Sequence, residues 1–131
     1  MAKMKNIFIT FTASVVLAAA AWAEPDVYVA GYEKNAGACY WKNGRQTALS
    51  GGREGSAQSI TVSGDDVYVV GTFRSGSWVA CYWKNSILTV LTNGRTEAGP
   101  RAVVVSGSDV YIAGYEGDAA CYWKNGEKVA L

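Results

Sequence analysis

Residues 39–43, 81–85 and 121–125 all spell Cys-Tyr-Trp-Lys-Asn, so equivalent cysteines recur 42 and then 40 residues apart. Each copy follows an Asp-Val-Tyr segment: Asp26-Val27-Tyr28-Val29-Ala30-Gly31, Asp66-Val67-Tyr68-Val69-Val70-Gly71 and Asp109-Val110-Tyr111-Ile112-Ala113-Gly114. A period of about forty residues restricts the chain to folds that stack one small unit on the next, and propeller blades have that size.

The unit reads as strands. In the second copy, Ser59-Ile60-Thr61-Val62-Ser63 and residues 66–71 flank the tight turn Gly64-Asp65. After a loop come residues 79–84, another turn, and Ile87-Leu88-Thr89-Val90-Leu91. Their β-branched and aromatic residues suit a pleated, half-buried surface. Asn43-Gly44 and Asn125-Gly126 form the pair that best tolerates the positive φ angles of a type I′ hairpin, and Asn85-Ser86 is its weaker counterpart. No segment after residue 23 sustains a 3.6-residue apolar period with caps. The expected fold is all-β: three tandem four-stranded antiparallel blades, with repeats at about 24–58, 59–101 and 102–131. The first blade is expected to lack a strand, because its unit opens at Asp26. Side chains alternate along a strand, which puts Cys39 and Trp41 on one face and Tyr40 and Lys42 on the other. Cys39, Trp41, Cys81, Trp83, Cys121 and Trp123 therefore read as the structural core of the repeats, with the tryptophans packing between blades.

The order of Pro100-Arg101-Ala102-Val103-Val104-Val105-Ser106-Gly107, residues 109–114 and Tyr122-Trp123 resembles a Kelch-type propeller repeat, and the chain is similar to a bacterial exported protein of that kind. It departs from the family pattern where a Gly-Gly doublet follows the second strand, since Gly31-Tyr32, Gly71-Thr72 and Gly114-Tyr115 stand there. The resemblance implies a propeller, and rings of this kind hold about four to eight blades. Three blades do not close one. The array therefore reads either as part of a longer propeller, the favoured expectation, or as a ring completed by self-association through uncapped terminal blades.

Residues 1–23 read as a signal peptide: Lys3 and Lys5 form a basic start, residues 7–21 an apolar stretch, and Ala21-Trp22-Ala23 a small-x-small cleavage site. The expected product is periplasmic or extracellular, with no membrane span once the leader is removed. What remains carries ten basic against eleven acidic residues without a basic cluster, so nucleic acid is not an expected partner. The three cysteines hold equivalent places in successive units, a separation that does not suit a disulfide. Without a histidine or a paired-cysteine spacing, neither metal nor cofactor is expected.

Recognition is expected at the end of the blades that carries the loops variable in length and chemistry: residues 33–37, 73–78 and 116–118, with Gly52-Arg53-Glu54 and Gly94-Arg95 between blades. Trp78 and Arg74 are the leading anchor candidates, joined by Arg53, Glu54, Arg95, Glu97, Lys34 and Asp118. The competing expectation is a solvated rim whose Arg-Glu pairs stitch blades together. No general-base histidine, nucleophile elbow or phosphate loop is present, so the chain is expected to be a non-catalytic module binding a protein or a glycan. The alternative is a glycoside-active enzyme, or an inactive remnant of one, using Glu33, Glu54, Glu97, Glu116 or Asp118.

Overall fold

A computed structural model describes residues 14–18 and 24–131 of the chain. Twelve strands occur in chain order: β1 (Ser14–Ala18), β2 (Asp26–Glu33), β3 (Gly37–Lys42), β4 (Arg45–Ala48), β5 (Gly55–Ser63), β6 (Asp66–Ser75), β7 (Ser77–Lys84), β8 (Ile87–Val90), β9 (Ala98–Ser106), β10 (Asp109–Glu116), β11 (Ala119–Lys124) and β12 (Glu127–Ala130). They form three antiparallel meanders, β1 to β4, β5 to β8 and β9 to β12, each in sequence order. The described residues contain no helix, and none therefore long and apolar enough to cross a membrane.

Residues 24–131 supply eleven strands, three to the first sheet and four to each of the others. The first sheet gains its fourth strand from inside the signal-like segment, where Val15 pairs with Val29 and Leu17 with Val27. The same apolar, β-branched run that reads as a leader also fits the edge of β2. The expected basic start and cleavage site lie outside the described residues.

The three hairpin ends share one chemistry. Asn43, Asn85 and Asn125 adopt φ near +50°, followed by Gly44, Ser86 and Gly126 at φ 80°, 68° and 89°. Each Asn side-chain oxygen accepts from the backbone N–H of Val27, Val67 or Val110, while its amide donates to Asp26, Asp66 or Asp109 at 2.7 to 2.9 Å. The preceding Lys42, Lys84 and Lys124 reach the same aspartates at 3.1, 3.9 and 3.8 Å. Their ammonium groups also lie 5.4 to 5.6 Å from the ring centres of Tyr28, Tyr68 and Tyr111, within cation–π range. Asp, Tyr, Lys and Asn of the repeat thus form one clasp across the second and third strands of each sheet.

The sheets pack face to face, with β5 in contact with both β2 and β9. At the first junction Tyr28, Ala30 and Tyr40 meet Ile60, Val69, Cys81 and Trp83. At the second, Tyr68, Val70 and Tyr82 meet Val103, Ile112, Cys121 and Trp123. Each junction therefore presses the tyrosine face of one sheet against the tryptophan face of the next. Trp83 and Trp123 are 1% and 0% exposed, whereas Trp41, on the first sheet's outer face, is only half-buried.

Two strands begin ahead of their expected starts. β5 opens at Gly55 rather than Ser59, and β9 at Ala98, ahead of the repeat boundary expected at about 102. A bulge lets each strand continue past the irregularity: the register shifts between Ala57 and Ser59 in one sheet and between Ala113 and Gly114 in the other. Gly71 and Gly114 lie beside these bulges, where a Cβ would strike the backbone carbonyls of Ser56 and Gly99. Close backbone approach, not a turn, accounts for the glycine that ends each of these Asp-Val-Tyr segments.

Candidate functional site

The structure gathers the variable segments at one end. In the first unit, Ser50 ties the connection to the hairpin: its hydroxyl accepts from the Ala38 N–H at 3.0 Å and lies within donating distance of the Ala36 and Arg53 carbonyls. Thr92 accepts from the Ala80 N–H in the next unit. These buried hydroxyls replace ladder partners where the chain leaves one sheet for the next.

The middle hairpin is built differently from its neighbours. Residues 73–78, expected as a loop, are strand except for Gly76, which takes φ 74° and reverses the chain in a single residue. Arg74 pairs with Trp78 and Ser75 with Ser77, so the hairpin projects as paired backbone. β6 runs ten residues, against eight in β2 and in β10. Aromatic and β-branched residues, Thr72, Phe73 and Val79, carry the ladder outward, and the glycine makes the tight reversal possible.

Three of the candidate residues meet on this projection. Trp78 is 47% exposed beside Arg74. The Arg74 guanidinium contacts the Glu54 carboxylate at 3.1 Å, and its backbone N–H donates to the Glu54 carbonyl at 2.8 Å. Arg53 turns the other way and lies 5.5 Å from the Phe73 ring centre, while Phe73 packs at 6.5 Å on Trp83. A cleft of about 230 Å³ opens here, lined by Leu49, Ser50, Gly51, Arg53, Phe73, Trp83 and Leu88. That is below the roughly 300 Å³ at which small-molecule pockets begin, so the projecting hairpin offers more to a partner than the cleft does.

The remaining candidates are dispersed. Glu97 accepts from the Tyr115 hydroxyl at 3.1 Å on the last sheet, Arg95 donates its backbone N–H to Asn93, and Lys34 and Asp118 are exposed at the tips of the outer hairpins. The Arg-Glu pairing differs from the expected stitching between blades. Glu54 immediately precedes β5 and Arg74 lies on β6, so that pair closes within one sheet. Two further loop carboxylates are also engaged: Glu33 by Gln46 at 2.7 Å and Glu116 by Lys128 at 2.9 Å. Sequence reasoning missed Tyr115, whose ring carries Arg101 at 5.5 Å while its hydroxyl holds Glu97. The bulge that brings Arg101 there leaves no signature in composition.

The cysteines are chemically quiet. All three are free and buried. Burial pushes the Cys39 thiol up to about 11, Cys81 further still, and Cys121 also above its ordinary value. The Cys81 thiol donates to the Gly71 carbonyl at 3.4 Å. Among the described residues no group of His, Cys, Asp and Glu could hold a metal ion. Comparison with known proteins finds no matching family model, no matching curated protein and no matching solved structure.

Proposed function

We propose that this protein is an exported, non-catalytic binding module that recognises a protein or a glycan through the loop-bearing end of its blades. The observation that carries the reading is the projecting hairpin of the middle sheet, where exposed Trp78 stands beside the Arg74–Glu54 pair. An exposed indole next to a guanidinium combines apolar area, stacking capacity and directed hydrogen-bond donors, the mixture found at interaction hot spots. The paired ends of β6 and β7, joined through Gly76, hold the pair at defined separation, so little conformational freedom remains to be lost on binding. The leader-like residues 1–23 support export.

The test is a glycan array and a pull-down from extracellular or periplasmic extract, run beside a glycoside hydrolysis assay. Binding that falls at least tenfold in both Trp78→Ala and Arg74→Ala, with no turnover by the parent, supports the reading. Binding unchanged in both variants, or hydrolysis abolished by Glu54→Gln, overturns it.

A further inference from the structure

Three Asn-Gly pairs occur in the chain, Asn43-Gly44, Asn93-Gly94 and Asn125-Gly126, and the fold treats one of them differently. Asn43 and Asn125 sit in clasps. The side-chain oxygen of each accepts from the N–H of Val27 or Val110 at 2.9 and 2.8 Å, and its amide donates to Asp26 or Asp109 at 2.7 and 2.9 Å. Each backbone N–H donates to the carbonyl of the same valine at 2.9 Å, so every one of these bonds reaches a different strand. Asn93 lies in the connection between β8 and β9. Its side-chain oxygen accepts from the Arg95 N–H at 3.0 Å, two residues away, and among the described residues no hydrogen bond ties that side chain to a strand. All three asparagines are exposed to solvent.

We propose that Asn93 is a modification site, converting to aspartate and isoaspartate in the folded protein, and that the clasps hold the identical pairs at Asn43 and Asn125 closed to the same reaction. Water is the only co-reactant. Hydroxide removes the proton of the Gly94 amide nitrogen, and that nitrogen attacks Cγ of Asn93. A C–N bond forms, the Cγ–Nδ2 bond breaks, and Nδ2 takes up a proton from water and leaves as ammonia. Water then opens the five-membered imide at either carbonyl, giving aspartate or isoaspartate. Glycine suits the step because it has no Cβ to hinder the approach of its nitrogen. In a clasp, Cγ reaches the glycine nitrogen only after the bonds to Asp26 and Val27, or to Asp109 and Val110, have opened. At Asn93 one local bond opens. Asn85 is clasped and is followed by Ser86, so it is protected twice. Gly94 lies against Ser77 and Val79 at the base of the projecting hairpin, where a Cβ would strike the Ser77 side chain. The new carboxylate therefore forms beside that hairpin, and the inference is independent of what the hairpin binds.

Incubation of the purified protein in mildly alkaline buffer, followed by peptide mapping that separates aspartate from isoaspartate, tests the ranking. In the folded protein Asn93 should convert about tenfold faster than Asn43 or Asn125, the factor set by one further hydrogen bond that must open first. In urea, where the clasps are gone, the three rates should converge. Asp26→Ala should speed Asn43 roughly tenfold in buffer and leave Asn125, whose clasp uses Asp109, unchanged. An unmodified Asn93, equal rates at the three pairs in the folded protein, or the same ranking kept in urea overturns the proposal. So does a folded Asp26→Ala protein in which Asn43 is no faster. If that variant unfolds, Asn43 and Asn125 accelerate together, and the parent's ranking in buffer against urea still decides.

Discussion

Trp123 shows how one residue carries the packing of a junction without carrying a hydrogen bond. Its indole is fully buried, and its Nε1 has no hydrogen-bond partner. Trp123→Phe keeps much of the apolar area and removes the unpaired donor, so a loss below about 1.5 kcal/mol is expected. Trp123→Ala leaves a cavity and should cost about 3 to 5 kcal/mol. Urea unfolding of the two variants separates the contributions. The thiols give a second test at this scale. Because burial raises all three, a thiol reagent at neutral pH should label almost nothing in the folded protein and three groups per chain after denaturation. The repeated Cys-Tyr-Trp-Lys-Asn was legible as a structural signature from sequence because alternation alone separates its two faces. That Trp41 is less covered than Trp83 was not legible, since identical pentapeptides say nothing about which sheets have neighbours.

At the scale of elements, the hairpins repeat one clasp with one weak link. Ser86 holds φ 68° where its counterparts are glycine. Ser86→Gly should therefore raise stability by about 0.5 to 1 kcal/mol, read as a higher urea midpoint with unchanged slope. The clasp also sets a pH dependence. The Asn43 amide and then the Lys42 ammonium hold the Asp26 carboxyl below its ordinary 3.8. A lowered folded value means that this stabilisation is complete above 3.8 and disappears as pH falls through the folded value. Lys42 is raised above 10.5 by Asp26 and Tyr28, so its contribution is complete below 10.5 and lost as pH climbs past the folded value. Thermal melts should show a plateau between about pH 5 and 9 with losses on both sides, and Asp26→Asn should reduce the acid loss. Strand identity and the Asn-Gly turns could be read in advance from β-branched alternation and turn chemistry. The bulges at Gln58 and Arg101 could not, because a bulge is decided by the partner strand. Its trace in the sequence, Gly71 and Gly114, reads equally well as a turn. A methyl at Gly71 would meet the Ser56 carbonyl, so Gly71→Ala should cost about 1 to 3 kcal/mol in the same denaturation assay.

In the whole molecule, stability follows position in the stack. Among the described residues the middle sheet packs against another sheet on both faces and each outer sheet against another sheet on one, as expected of an array in which each unit contacts its neighbours. Cleavage after Ala23 would also remove β1 and leave β2 as an edge, so the N-terminal mass of the protein isolated from its host decides whether the first sheet has three strands or four. The sequence by itself determined the all-β class, the three units, the hairpin turns and the shared strand faces, because those follow from local alternation and from turn residues that need no distant partner. Only the tertiary structure decided that residues 73–78 project as a hairpin, that Arg74 closes on Glu54 within its own sheet, and that Asn43 and Asn125 are clasped where Asn93 is not. Each of these depends on which surfaces meet across tens of residues, and contact between remote segments is not encoded in any one of them.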